Sequence, residues 1–145
     1  MHWENDSTYR TAERQQTELI TRGKNRSSVI TWSMANETPM KPERNVYIRK
    51  LTARMRSLDP TRPVSTALEQ HGLPNSNTHT IGDPLIVCVD TLSFNQYIGW
   101  YDGTPDKLKN VSRKISRNKP VMESRFGAGA LQGKHGDKLE RFTEE

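Results

Sequence analysis

Cysteine is nearly absent. Cys88 is the only one in 145 residues, which excludes an intramolecular disulfide framework and a cysteine-rich metal site. It lies in an apolar run, residues 85–89, and reads as a buried small hydrophobe. The four histidines (His2, His71, His79 and His135) form no His-x-x-x-His or comparable ligand spacing, so neither a metal nor another cofactor is expected. Aromatic residues make up 7% of the chain and hydrophobic residues 32%. That is lean for a self-contained core and suits a piece of a larger domain. No apolar run approaches the length of a membrane span. The opening Met1-His2-Trp3-Glu4-Asn5-Asp6 has no basic-then-apolar signal pattern. The expected location is the cytoplasm, with no membrane partner.

Positive charge is in excess. Twenty-two Lys and Arg stand against 17 Asp and Glu, for a net charge of +5 and a pI near 9.5. The basic residues are scattered among acids, and the densest stretch, residues 113–119, has no aromatic interleaving. A solvated face accounts for it, and no nucleic-acid partner is expected. The glycines of residues 127–133 follow a predicted strand, but their Gly-x-Gly-x-x-x-Gly spacing is one residue too long for a dinucleotide fingerprint.

The chain alternates helical and extended patterns. Ser7 or Asp6 can cap a helix bearing Tyr9, Ala12, Leu19 and Ile20 on one face, ended by Gly23 and Asn25. A strand over residues 28–34 follows. Pro42 then opens a second helix with Tyr47, Ile48, Leu51, Met55 and Leu58. A turn at residues 59–63 leads into a strand over 64–68. Residues 72–84 are polar and read as a surface loop. A strand over 85–94 follows, then a helix opened by Pro105 with Leu108, Val111 and Ile115 on one face. The last strand is 121–126, followed by a glycine-rich loop over 127–136 and a helix beginning at 138. Such alternation predicts parallel β/α units.

The run Ser28-Val29-Ile30-Thr31-Trp32-Ser33-Met34-Ala35-Asn36-Glu37 is β-branched and aromatic, ends abruptly in polar residues, and is followed by Pro39 and Pro42. It reads as a buried parallel strand with a carboxylate at its C-terminal tip, where barrel enzymes place their chemistry. A solvated glutamate at a strand end fits the same spacing equally well.

Asn25-Arg26-Ser27-Ser28-Val29, Trp32-Ser33 and Ala35-Asn36-Glu37-Thr38-Pro39 together resemble the fourth barrel strand of glycoside hydrolase family 2, which includes β-glucuronidases and β-galactosidases. Residues 56–63 (Arg-Ser-Leu-Asp-Pro-Thr-Arg-Pro) resemble the same family, as does the loop around His135-Gly136. The resemblance implies a partial (β/α)8 TIM barrel, with residues 1–145 as a fragment of the catalytic domain carrying strands four to seven. It implies a retaining β-glycosidase acting on a carbohydrate. Glu37 would be the general acid/base and Asn36 would touch the sugar 2-hydroxyl. Tyr97 would orient the nucleophile, and Asn95, Trp100 and Tyr101 would line the mouth. Open barrel edges imply self-association of the chain by itself.

One position departs from the family. Its nucleophile sits in the pattern Lys-Pro-x-x-x-Ser/Thr-Glu-Phe/Tyr-Gly. The chain reads Lys119-Pro120-Val121-Met122-Glu123-Ser124-Arg125-Phe126-Gly127, in unbroken register. Arg125 therefore stands at the nucleophile position. A guanidinium stays protonated and cannot attack an anomeric carbon. Strand alternation puts Glu123 on the same face as Arg125 but roughly 6–7 Å back along the strand, a poor substitute nucleophile. An ion pair of Arg125 with Glu123 or Glu37 is the expected structural outcome. The alternative to a glycosidase is thus a catalytically inactive remnant or sugar-binding pseudoenzyme.

Overall fold

The computed structural model describes residues 2–72, 76–138 and 140–145, without the side chain of His71. Helix α1 spans Asp6–Gly23 and is capped by Asn5, whose side chain accepts from Ser7 N and Thr8 N. The cap falls one residue before the pair expected from the sequence. Helix α2 spans Pro42–Leu58, with Pro42 in its first turn, where a missing N–H costs nothing.

The strands are β1 (Trp32–Asn36), β2 (Val64–Ala67), β3 (His71–Gly72), β4 (Thr78–Ile81), β5 (Thr91–Gln96), β6 (Ser112–Ile115) and β7 (Val121–Phe126). Four of them form one sheet in the order β1-β2-β5-β7, and every pairing in it is parallel. Spatial order follows chain order without reversal. That is the singly wound order of a barrel, not the doubly wound order of an open α/β sheet. The architecture is an α/β partial barrel.

The outer face of this sheet is apolar and covered by helices. Ile20, Trp32, Met55 and Val64 make one buried cluster. Tyr47, Ile48, Leu51, Leu68, Leu92 and Phe94 belong to a larger one. The inner face is built from small and polar residues: Ser65, Ala67, Ser93 and Asn95 are all buried, and the hydroxyls of Ser93 and Ser65 lie 3.1 Å apart. A sheet with one apolar face and one polar concave face needs few hydrophobic residues, which accounts for the lean composition.

Several expectations fail for local reasons. Pairing of β1 begins at Trp32 rather than at residue 28. The stretch expected to be a strand from residue 85 starts as a 3-10 helix, Pro84–Val87, because the Asp83 side chain accepts from Leu85 N and caps it. Cys88 is half-buried, and its Sγ donates to Leu85 O; burial pushes its thiol pKa up. The helix expected from Pro105 is a short 3-10 helix, Pro105–Asn110, and Val111 and Ile115 belong to an extended segment instead. There Arg113 and Ile115 are half-buried while Ser112 and Lys114 are exposed, the two-residue period of a strand. The polar stretch expected to be a loop supplies β4, which pairs parallel with β6 and antiparallel with β3 in a second, three-stranded sheet. Part of that stretch, residues 73–75, lies outside the described residues. No helix forms among the described residues of 138–145; Phe142 instead bridges to Ala130. No helix of the described residues is long and apolar enough to cross a membrane.

The N-terminal end of the sheet is held by Asp59. Its carboxylate accepts from the Thr61 hydroxyl at 2.5 Å, Trp32 Nε1 at 2.9 Å, Arg62 at 2.9 Å and Thr61 N at 3.0 Å. These bonds, the Thr61 hydroxyl first and Trp32 second, hold its pKa well below the ordinary carboxylate value. A depressed folded-state pKa gives stability that is present above the unfolded value, near 3.9, and is lost as pH falls toward the folded one. Thermal unfolding followed from pH 5 to pH 2 should therefore show a melting temperature that drops below about pH 4. Asp59→Asn should flatten that dependence while lowering stability at pH 7.

Candidate active site

Apart from Glu123, in the middle of β7, the residues singled out for chemistry lie at the C-terminal ends of the parallel strands or in the loops that follow. Asn36 ends β1 and Glu37 follows it; Asn95 is near the end of β5, with Tyr97, Trp100 and Tyr101 beyond; Arg125 is next to last in β7. Glu37, Tyr97 and Arg125 thus share one end of one sheet.

Two register shifts decide which way these side chains face. Trp32, Ser33 and Asn36 pair with Val64, Ser65 and Ala67. Three steps along β1 match two along β2, so one extra residue turns Asn36 to the concave face that simple alternation would deny it. The second shift lies between β5 and β7, where Phe94 pairs with Glu123 and Asn95 with Arg125. Ser124 is the extra residue. Arg125 therefore shares the concave face with Asn95, while Glu123 is sent to the face of Phe94. This corrects the expectation that Glu123 and Arg125 share a face. The Arg113 guanidinium covers the Phe94 ring at 4.1 Å, and Glu123 acts on it electrostatically.

A polar chain joins the strand ends. Asn95 Nδ2 donates to Asn36 Oδ1 at 2.9 Å, and the single proton of Ser124 Oγ is shared between Asn95 Oδ1 and Phe94 O, each 3.0 Å away. Gln70 Nε2 donates to Asn95 O. Asn95 is 1% exposed, and its side-chain amide is held by partners on two strands, Asn36 of β1 and Ser124 of β7. Ser124 and Gln70 were not assigned roles from sequence; Ser124 lies inside the strand-seven pattern, but only the bulge shows its purpose.

Glu37 is exposed and adopts φ +43°, a left-handed conformation uncommon for residues other than glycine and costing about 1–2 kcal/mol. Its N–H donates to Ala67 O at 2.9 Å. The strained turn releases Glu37 from the strand and stands its carboxylate at the rim. Arg125 is also exposed. Among the described residues it forms no ion pair with Glu37, Glu123 or any other acid. The expected neutralising pair does not form.

The aromatic rim forms as a stack of edges. Tyr97 and Tyr101 meet at 5.4 Å, Trp100 and Tyr101 at 5.9 Å, and Trp100 and Phe142 at 4.8 Å. The Arg141 guanidinium lies 5.4 Å from the Trp100 ring, and a cleft of about 300 Å³ opens between Trp100 and Gly127–Gly129. Phe142 and Arg141 carry no sequence pattern that would have marked them. His135 bonds to Glu145 at 2.8 Å and is exposed. Among the described residues no group of three or more His, Cys, Asp or Glu could hold a metal.

Residues 2–145 match the family described as glycosyl hydrolases family 2, TIM barrel domain. The chain belongs to that family. It is 33% identical over 139 residues to the β-glucuronidase of Rattus norvegicus, covering 88% of this chain and 20% of that protein. It is 34% identical over 139 residues to the β-glucuronidase of Paenibacillus borealis, covering 89% and 22%. Among solved structures, a β-D-glucuronidase of Dictyoglomus thermophilum superposes with TM-score 0.66 at 29% identity, over 96% of this chain and 24% of that one. A family 2 β-galacturonidase of Eisenbergiella tayi superposes with TM-score 0.74 at 23% identity, over 97% and 25%; at that identity the likeness speaks for the fold. The chain spans about a fifth of the length of the curated relatives it matches.

Proposed function

We propose that these residues form part of the sugar-binding mouth of a family 2 barrel that recognises a β-glycoside but does not hydrolyse it. The observation that carries this reading is the chain Asn36–Asn95–Ser124, with Arg125 on the same concave face by register. Asn36 and Asn95 offer amide donors and acceptors suited to ring hydroxyls, and Tyr97, Trp100 and Tyr101 offer flat apolar edges to C–H groups. Glu37 stands where a general acid/base belongs, free at the rim. Retaining hydrolysis needs a second carboxyl about 5–5.5 Å from the first. Arg125 holds that place, and Glu123 faces away from it.

The second reading is an active retaining β-glycosidase of the β-glucuronidase or β-galactosidase type, favoured by the intact Asn36–Glu37 end of β1. Release of an aryl leaving group separates the two. The purified protein should show no measurable hydrolysis of aryl β-glucuronides or β-galactosides, while methyl β-glycosides should perturb the fluorescence of Trp100. Turnover that disappears in Glu37→Gln would establish the second reading instead.

A further inference from the structure

The polar groups at this mouth are unequally used. Asn95 has both ends of its amide engaged, by Asn36 and by Ser124. Cations of the loops beyond these strands are likewise committed: Lys107 to Asp102 and Arg141 to the Trp100 and Tyr101 rings. Arg125 differs. The bulge at Ser124 carries it onto the concave face opposite Asn95, yet it forms no ion pair among the described residues, although Glu123 is two positions away. A planar cation placed by register on the polar concave face and left unneutralised suits an anion that accepts two N–H bonds side by side, as a carboxylate or phosphate does.

We infer that the mouth takes a sugar bearing an anionic group on its C1 carbon, held by Arg125: an aldonate or a glycosyl phosphate. This rests on the reading of the mouth as a sugar site that does not hydrolyse. The sugar, a ring in the glycosyl phosphate and an open chain in the aldonate, lies against Asn36 and the aromatic edges, which leaves its C1 end toward β7. There a guanidinium replaces the carboxylate that hydrolysis would need, so the charge sought in the ligand is inverted. Anions carried elsewhere on the sugar, at C6 for instance, do not meet Arg125 in that pose. Glu37 faces the same opening and disfavours any anion, so its removal strengthens binding.

Calorimetric titration of the purified protein tests this with gluconate, galactonate, glucose 1-phosphate and galactose 1-phosphate. The controls are glucose 6-phosphate, the neutral methyl β-glycosides and inorganic phosphate. At least one C1-anionic sugar should bind tenfold or more tightly than its neutral glycoside, its 6-phosphate and inorganic phosphate. The aldonate and phosphate arms tell which anion is preferred. Arg125→Gln should bring the C1-anionic sugar down to the affinity of its neutral glycoside, and Glu37→Gln should sharpen the preference. Arg125 is exposed and outside both apolar clusters, so the variant keeps its fold, and an unchanged melting temperature checks that. Neutral glycosides bound as tightly as C1 anions, or a preference that survives Arg125→Gln, would overturn the inference and leave the sugar-site reading intact. Binding of inorganic phosphate alone, with no sugar bound in either protein, would overturn both.

Discussion

A complete family 2 glycosidase whose strands four to seven are replaced by residues 1–145 should be silent toward aryl β-glucuronides, and Arg125→Glu should restore hydrolysis by more than about 10³-fold. Loss of a covalent nucleophile has cost up to about 10⁶-fold where it has been measured, so an effect of this size is modest for the chemistry. The physical reason is the register. Residue 125 pairs with Asn95 on the concave face, where a glutamate would oppose Glu37 across the mouth. In the proposed roles, Glu37 would still protonate a leaving group with Arg125 in place, but no glycosyl-enzyme bond would form. Hydrolysis by the Arg125 graft, abolished by Glu123→Gln, would make Glu123 the nucleophile and show that the bulge does not turn it away. The graft matters because the restored residue also needs the rest of a barrel around it to bind and orient a substrate.

Asp83→Ala should cost about 3–5 kcal/mol of stability, the largest effect expected of a single substitution outside the apolar core. Arg44 and Asp83 are 0% and 1% exposed and are joined by two parallel bonds of 3.0 Å. The same carboxylate accepts from Leu85 N at 2.9 Å and Glu69 N at 3.4 Å. It thus ties the first turn of α2 to the chain leaving β2 and to the 3-10 turn before β5. Removing Asp83 strands a buried guanidinium whose Nε already lacks a partner. Domains of this size are stable by only about 5–15 kcal/mol, so the variant should be largely unfolded under mild denaturant. Arg44→Met/Asp83→Leu should lose far less than the two single substitutions added together, since no charge is left unpaired. The remaining deficit should be about 1 kcal/mol, for the lost cap on Leu85 N. Urea unfolding of the four proteins measures this. Additive losses would mean that the pair contributes nothing as a pair.

Local sequence determined much of this molecule. Pro42 and the spacing of Tyr47, Ile48, Leu51 and Met55 define α2, because a helix repeats on 3.6 residues and each apolar side chain meets the sheet in turn. The strand ending at Phe126 was legible from its flanking Pro120 and Gly127. Glu37 could be placed at a strand tip because the apolar run stops there. The resemblance of residues 25–39 and 119–127 pointed to the two strand ends proposed as the mouth, and to Arg125 at the position where the family pattern has its nucleophile.

Tertiary structure decided what those ends do. Periodicity cannot reveal an extra residue inside a strand, because a bulge is defined by hydrogen bonds to a neighbour far away in the chain. One such residue turned Asn36 inward to meet Asn95, and another sent Glu123 and Arg125 to opposite faces. Residues 111–115 carry apolar spacing compatible with a helix, and partnership with β4 made 112–115 a strand. Asp83 reads as an ordinary turn residue until folding buries it against Arg44, 39 positions away. In each case the deciding contact joins residues distant in sequence, so side-chain type and spacing set what each residue could do, and the register of the folded sheet selected which of those things it does.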